Sequence, residues 1–256
     1  MEKQFRELVN IVKKLRAPDG CPWDREQTLF SLKEHLIEEV YELVDAIDKK
    51  EIINIKEELG DLLLHVVLHS VIAEEENYFQ LNEVIKGISE KLIRRHPHVF
   101  GDVRVKDSRD VMINWERIKK DEKNRRSILE EIPESLPSIQ KAIKLQERVR
   151  TVGFDWQTME DCMGKVIEEF EEFKNAVAAG NYDEIKHEMG DLLFAVVNFS
   201  RFIKVNPDEA LRKTNHRFIS RFSYIEKRLA DKGLTFDDVT TEDLNILWDE
   251  AKKQGL

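Results

Sequence analysis

The feature that most constrains this chain is a repeat within it. Residues 37–70 align without a gap on residues 167–200, at an offset of 130, and 15 of the 34 paired positions are identical. Among the identities are Glu38, Glu39, Glu42, Glu58, Gly60 and Asp61, matched by Glu168, Glu169, Glu172, Glu188, Gly190 and Asp191. A duplication of this kind predicts two domains built alike. Between the copies, the charge run Lys119 to Arg126 is followed by Pro133 and Pro137. That composition suits a linker or a solvated helix end. The expected organisation is a first domain over 1–120, a linker over 121–137 and a second domain over 138–256.

Each copy reads as a pair of helices. Leu32, Leu36, Val40, Leu43, Val44 and Ile47 recur at three- and four-residue steps, the period of a half-buried helix. A polar break at Asp48 to Glu51 precedes a second helix from about Ile53 to Glu75. In the second copy Ala179-Gly180-Asn181 makes a clearer turn, since glycine takes positive φ without strain. Short loops make consecutive helices antiparallel neighbours. Further helices are expected at 82–95, 108–122, 207–231 and 241–254, the last opened by the capping hydroxyl of Thr240 or Thr241. Composition agrees: 36% of residues are charged, and only 10 are glycine and 6 proline. This disfavours a turn-rich β fold, and 41% apolar residues argue against disorder. The expected fold class is all-α, with two tandem helical bundles.

Several classes are excluded. The apolar run Leu62 to Leu68 is broken by His65 and falls far short of the ~20 residues that a membrane helix needs. The first residues, Met1-Glu2-Lys3-Gln4-Phe5, lack the apolar core of a signal peptide. Cys21 and Cys162 cannot build a disulfide framework or a thiolate zinc site. A reducing, cytoplasmic location is expected, with no membrane partner. The net charge of −10 repels phosphate backbones, so no direct binding of duplex nucleic acid is expected.

The chemistry lies in the acids. Glu39 and Glu42 are spaced i, i+3 and Glu38 to Glu42 is i, i+4, so they share one side of a helix. Glu58 and Asp61 are spaced i, i+3 on the next helix. A hairpin would make four carboxylates converge, with Leu59, Leu62 and Leu63 placing Asp61 beside a packed face. Unpaired, they repel, and burial raises their pKa values. A hard divalent cation such as Mg²⁺, which takes six oxygen ligands, relieves this. Glu169, Glu172, Glu188 and Asp191 repeat the set. Acids also occur on solvated helix faces. Here all four positions recur while neighbours such as Tyr41/Glu171 and Asp48/Ala178 drift.

Other constellations compete less well. Asp61, His65 and His69 share a helix stripe suited to zinc or iron, but their counterparts include Ala195 and Phe199. His65 and His69 therefore read as core or interface histidines. Glu184 and His187 have the Glu-x-x-His spacing of di-iron bundles, without a counterpart at 54–57. Arg217 and Arg221 are i, i+4, as are Lys91 and Arg95, Trp248 and Lys252, and Trp115 and Lys119. Cations opposite a carboxylate–metal cluster suit a triphosphate, and a tryptophan face suits a base. No phosphate-binding glycine loop, serine elbow or zinc-protease motif is present.

The motif Glu38-Glu39-x-x-Glu42 followed by Glu58-x-x-Asp61, repeated as Glu168-Glu169-x-x-Glu172 and Glu188-x-x-Asp191, resembles the signature of the MazG family. Leu15 to Thr28 and Arg150 to Trp156 resemble the segments that open the two MazG domains. The resemblance implies an all-α NTP pyrophosphatase fold and Mg²⁺-dependent hydrolysis of nucleoside triphosphates to monophosphate and pyrophosphate. It further implies a homodimer acting in nucleotide-pool housekeeping or stress control. On that pattern Glu169, Glu172, Glu188 and Asp191 are the metal ligands of the main site, with Glu39, Glu42, Glu58 and Asp61 as the first-domain set. Lys165 and Glu168 lie near the substrate, and Arg217, Arg221, Trp248 and Lys252 match nucleotide-binding positions. Glu38 or Glu168 is positioned to act as general base. A non-catalytic helical dimer that binds regulatory partners, and a carboxylate-bridged redox bundle, are the alternatives.

Overall fold

The computed structural model describes residues 1–123 and 127–256, with the side chains of residues 109, 112, 113, 116, 120, 121 and 123 outside the description. Asn124 to Arg126, the end of the charge run, likewise lie outside it. Among the described residues the elements are α1 (Glu2–Arg16), α2 (Pro22–Glu26), α3 (Lys33–Lys49), α4 (Ile52–Glu75), α5 (Leu81–Arg95), α6 (Pro97–Phe100) and α7 (Ser108–Lys123). They continue with α8 (Ser138–Arg150), α9 (Met159–Ala179), α10 (Tyr182–Phe202), α11 (Pro207–Asp231) and α12 (Thr241–Lys253). A single 3-10 turn spans Phe236–Asp238, and no strand occurs among the described residues. The fold is all-α, and the helices follow the hydrophobic periods to within a residue or two.

The chain divides into two compact units, Met1–Trp115 and Glu116–Leu256, and the division falls inside α7. In the first unit α3 and α4 form an antiparallel hairpin, and α1 packs across α4. The core is Val12, Leu32, Val67, Leu68, Val71 and Ile72, flanked by Phe5, Leu8 and Leu64. Between α1 and α2 the chain turns so tightly that a Cβ on Gly20 would sit 2.2 Å from the Leu15 carbonyl oxygen. In the second unit α9 and α10 repeat the hairpin, α8 packs on α10, and α11 packs on α12. Ile225, Leu229 and Leu247 form the core of that last pair.

Two expectations need qualification. The leucines beside Asp61 are not all packed: Leu59 is 53% and Leu63 41% exposed. Their side of the hairpin continues with exposed Ile37 and Val66, and the second hairpin exposes Ile167, Leu193 and Val196 at the matching positions. Within α3, Val40 and Ile47 are exposed as well. The half-buried stripe is thus only partly covered within the chain itself.

The hairpin turns differ in one informative way. α9 ends at Gly180 with φ of 72°, and α3 ends at the equivalent Lys50 with φ of 59°. Both are left-handed caps, and both backbone N–H groups return to carbonyls of the last helical turn. A lysine there bears the steric cost of its Cβ, about 1 kcal/mol. Lys50→Gly is therefore expected to stabilise the first unit by about 1 kcal/mol, and Gly180→Ala to destabilise the second by a similar amount. Urea unfolding followed by circular dichroism measures both.

Candidate metal and phosphate site

Side chains three and four residues apart leave a helix on one face, and packed helices lie roughly 8–10 Å apart. Facing turns of a hairpin therefore push their acids together. In the first unit Glu39 of α3 and Glu58 and Asp61 of α4 each offer a carboxylate oxygen within 4.8 Å of the others. Partial burial, and then Asp61, Glu42 and Glu58, raise the Glu39 carboxyl above its ordinary range. Desolvation, and then the neighbouring carboxylates Glu42 and Asp61, raise Glu58 as well.

The second unit gathers Glu169, Glu172 and Glu188 in the same way. Partial desolvation, followed by Glu169 and Glu188, raises Glu172. The fourth acid, Asp191, turns toward His187, whose Nδ1 lies 3.2 Å from it and 3.6 Å from Glu188. Only 5% of Glu169 is exposed. One of its oxygens meets Lys165 Nζ at 2.6 Å, and the other is buried with no hydrogen-bond partner. Lys165 also donates to Glu168 at 2.8 Å, and these hydrogen bonds, Glu168 first, hold its ammonium above the ordinary lysine range. The equivalent residue of the first unit is His35, 3.7 Å from Glu38.

The donor set can be tested against a cation. A buried carboxylate oxygen without a partner is costly to leave so. Oxygen-only donors at short mutual range suit a hard divalent ion better than a thiolate- or imidazole-seeking metal. The second set fits on both grounds, and the first on its donor chemistry. His65 is instead a buried histidine, its pKa lowered first by burial and then by His69 and His35.

The remaining sequence-derived residues lie elsewhere in their units. Arg221 sits over the Trp248 ring at 5.4 Å and donates to the Leu256 carbonyl oxygen, while Phe218 packs on the same tryptophan at 5.1 Å. Arg217 donates to Thr214, and Lys252 to Asp249. Among the described residues none of these four pairs with a carboxylate of α9 or α10. The first unit has a similar pair: the buried Arg95 lies over Trp115 at 5.5 Å, with Lys91 exposed one turn earlier, while Lys119 of α7 falls past the division between the units.

Sequence reasoning missed the surroundings of Lys165. A cavity of about 640 Å³ opens beside the second acidic set, with Lys165, Glu169 and Asp191 among the residues that line it. Phe154, Trp156, Phe194, Gln146, Asn198 and Arg201 also line it. A signal was available: Asp191, Phe194, Ala195, Asn198 and Arg201 follow at helical steps on one face of α10. His187, at i, i−4 from Asp191, belongs to the same neighbourhood.

The profile of the MazG nucleotide pyrophosphohydrolase domain matches residues 27–100 and again 157–225. A Thermotoga maritima protein named nucleoside triphosphate pyrophosphohydrolase/pyrophosphatase MazG is 46% identical, over 97% of this chain and 95% of its own length. The nucleoside triphosphate pyrophosphohydrolase of Escherichia coli K12 is 40% identical, over 99% of this chain and 98% of its own. A Bacillus subtilis protein described as uncharacterized, YabN, is 50% identical over 98% of this chain, which spans 52% of that longer protein.

Raised carboxyl pKa values mean that cation and protons compete for the same oxygens. Affinity for Mg²⁺ is therefore expected to fall as pH drops toward and through the raised range, which begins above 4.5 for Glu39 and Glu172. Glu172→Gln should weaken binding at the second site by roughly 10-fold or more at pH 7. Calorimetric titration of the wild type and the variant at several pH values reads both effects.

Proposed function

The chain belongs to the MazG nucleotide pyrophosphohydrolase family, and on that premise we propose that it hydrolyses nucleoside triphosphates, ribo- or deoxyribo-, to the monophosphate and pyrophosphate. The observation behind this reading is the second acidic set, with its buried and unpartnered Glu169 oxygen beside Lys165. Glu169, Glu172, Glu188 and Asp191 would hold Mg²⁺, as would Glu39, Glu42, Glu58 and Asp61 in the first unit. A bound Mg²⁺ supplies Lewis acidity at the phosphoryl oxygens and makes the water it holds more acidic.

The protein's own groups do the rest. Water adds to the α-phosphorus, the bond to the bridging oxygen breaks, pyrophosphate leaves, and a carboxylate takes the proton. Glu168 is suited to that proton in the second unit, and Glu38 in the first. Each stands beside a set of ligands without belonging to the converging triple. Lys165 holds Glu168 in place through its hydrogen bond and brings positive charge to the phosphates. Arg217, Arg221 and Lys252 on α11 and α12 would meet the charge of the departing pyrophosphate. Among the described residues Arg217 and Lys252 have local partners, Thr214 and Asp249, which a phosphate displaces at little cost. Catalysis of this kind rests on position and field, without a covalent intermediate.

We also propose a homodimer. The exposed Ile37, Leu63 and Val66, repeated as Ile167, Leu193 and Val196, form apolar faces that a second copy could cover. The domains are taken as 1–120 and 138–256 joined by 121–137, the location as cytoplasmic, and the role as nucleotide-pool housekeeping or stress control. No helix among the described residues is long and apolar enough to cross a membrane.

Incubation with each nucleoside triphosphate and Mg²⁺ should yield monophosphate and pyrophosphate. Orthophosphate as the first product, with no pyrophosphatase present, would overturn the assignment. Partner binding without Mg²⁺ affinity or turnover would favour a regulatory protein instead. Glu172→Ala should reduce the rate by about 10²–10³, by analogy with loss of one oxyanion donor. Glu42→Ala should leave a substantial part, because the second unit has both Lys165 and the cavity. Equal loss in both folded variants would place catalysis in the first unit too. Light scattering should give roughly twice the 30.2 kDa chain mass.

A further inference from the structure

We propose that the first unit binds a zinc-class divalent ion through imidazoles, with His65 and His69 of α4 as its clasp and His35 of α3 as the third ligand. The site stands one helical turn from the first acidic set and calls for a different metal chemistry, so it does not depend on the hydrolase reading.

The hairpin gathers these histidines for the same reason that it gathers the acids. His35 lies four residues before Glu39 on α3, and His65 four residues after Asp61 on α4. In antiparallel helices both steps lead the same way, one turn beyond the carboxylates. His69 follows His65 at i, i+4 and so shares its face. The centroids of the His65 and His69 rings stand 5.7 Å apart, with 42° between the planes. Two imidazoles on one tetrahedral ion, each with its nitrogen about 2.0–2.1 Å away, place their centroids roughly 5–6 Å apart. The observed spacing therefore admits an ion without a shift of the helix.

The ring nitrogens are already prepared for it. His69 Nδ1 lies 2.7 Å from the His65 carbonyl oxygen. A carbonyl only accepts, so Nδ1 carries the proton and Nε2 bears the lone pair. A ligating histidine commonly gives its other N–H to such a carbonyl, which fixes tautomer and ring orientation. His65 is only 7% exposed, and among the described residues its Nδ1 is buried with no hydrogen-bond partner. That atom is costly to leave unmatched in either tautomer, and an ion would satisfy it. Burial, followed by His69 and His35, holds the His65 pKa below its usual range. The ring is then neutral at neutral pH, and no proton has to be displaced before it can ligate. His35 is half exposed, 3.7 Å from Glu38 and edge-on to Trp23 at 5.9 Å. Rotation about its side-chain bonds turns it from Glu38 toward the pair.

The second unit cannot repeat this site. The counterparts of His35, His65 and His69 there are Lys165, Ala195 and Phe199. Imidazole nitrogens select zinc-class ions over Mg²⁺, whereas the carboxylate sets prefer the harder ion. The competitor for zinc is His187, which stands with Glu188 and Asp191 in the second unit.

The test titrates the full chain with Zn²⁺ by calorimetry at neutral pH, in excess Mg²⁺ to occupy the carboxylate sets. His69→Ala and His35→Ala should each weaken Zn²⁺ binding at least ~10-fold, with circular dichroism as the folding control. His69→Gln repeats the test with the bulk of the side chain kept. His187→Ala should leave the affinity unchanged. With Co²⁺ in place of Zn²⁺, the wild type should show the visible absorption of a tetrahedral, nitrogen-bound ion, and His69→Gln should lose it. Unchanged affinity in the folded variants at position 69 or in His35→Ala, an equal loss in His187→Ala, or no Zn²⁺ uptake by the wild type in excess Mg²⁺ would overturn the proposal.

Discussion

Three carboxylates within 4.8 Å of one another on two packed helices repel strongly unless positive charge is supplied. That constraint organises both units. It selects a hairpin rigid enough to hold the acids together, a short turn to set their register, and a compensating cation. The two hairpins answer it differently. In the second, Lys165 supplies a permanent charge to Glu168 and Glu169 and leaves one Glu169 oxygen buried and unmatched. In the first, His35 stands at that position near Glu38, so no permanent charge is built in there.

The two copies part ways along the stripe that runs on from the acids. On α10 the face that begins with Asp191 continues through Ala195, Asn198 and Arg201 and borders a cavity. On α4 the face that begins with Asp61 continues through His65, Leu68 and Val71 and is buried. The acids were kept in both copies, while the space beside them was kept open in one. The same substitutions that fill the first unit also strengthen its core, since Leu68 and Val71 pack with Val12, Leu32, Val67 and Ile72. Binding room and core density are thus alternative uses of equivalent positions.

Much of the fold was legible because helical periods and caps are local. Gly180 marked one hairpin turn, and Thr240 caps α12 by accepting from the Asp243 N–H. The left-handed Lys50 was not legible, since nothing in a lysine announces positive φ. The convergence of Glu39, Glu58 and Asp61, and of Glu169, Glu172 and Glu188, followed from spacing plus the hairpin. Which acid stands outside the triple did not, because Asp191 groups with Glu188 and His187 through a side-chain choice that periodicity does not encode. The leucines near Asp61 misled for a related reason: apolar spacing tells which side is greasy, and not what covers it. The cavity was hidden because its polar members come from α8, α10 and the turn before α9. Those segments become neighbours only through packing.

The central claim is that the converging carboxylates are cation sites built for a phosphate substrate. Crystals soaked in Mn²⁺, which takes the oxygen ligands of Mg²⁺ and scatters anomalously, test it most directly. The account predicts an anomalous peak among Glu169, Glu172 and Glu188 and a second among Glu39, Glu58 and Asp61. It would be contradicted by ions confined to other surface acids, or by no peak at either cluster in crystals that take up Mn²⁺.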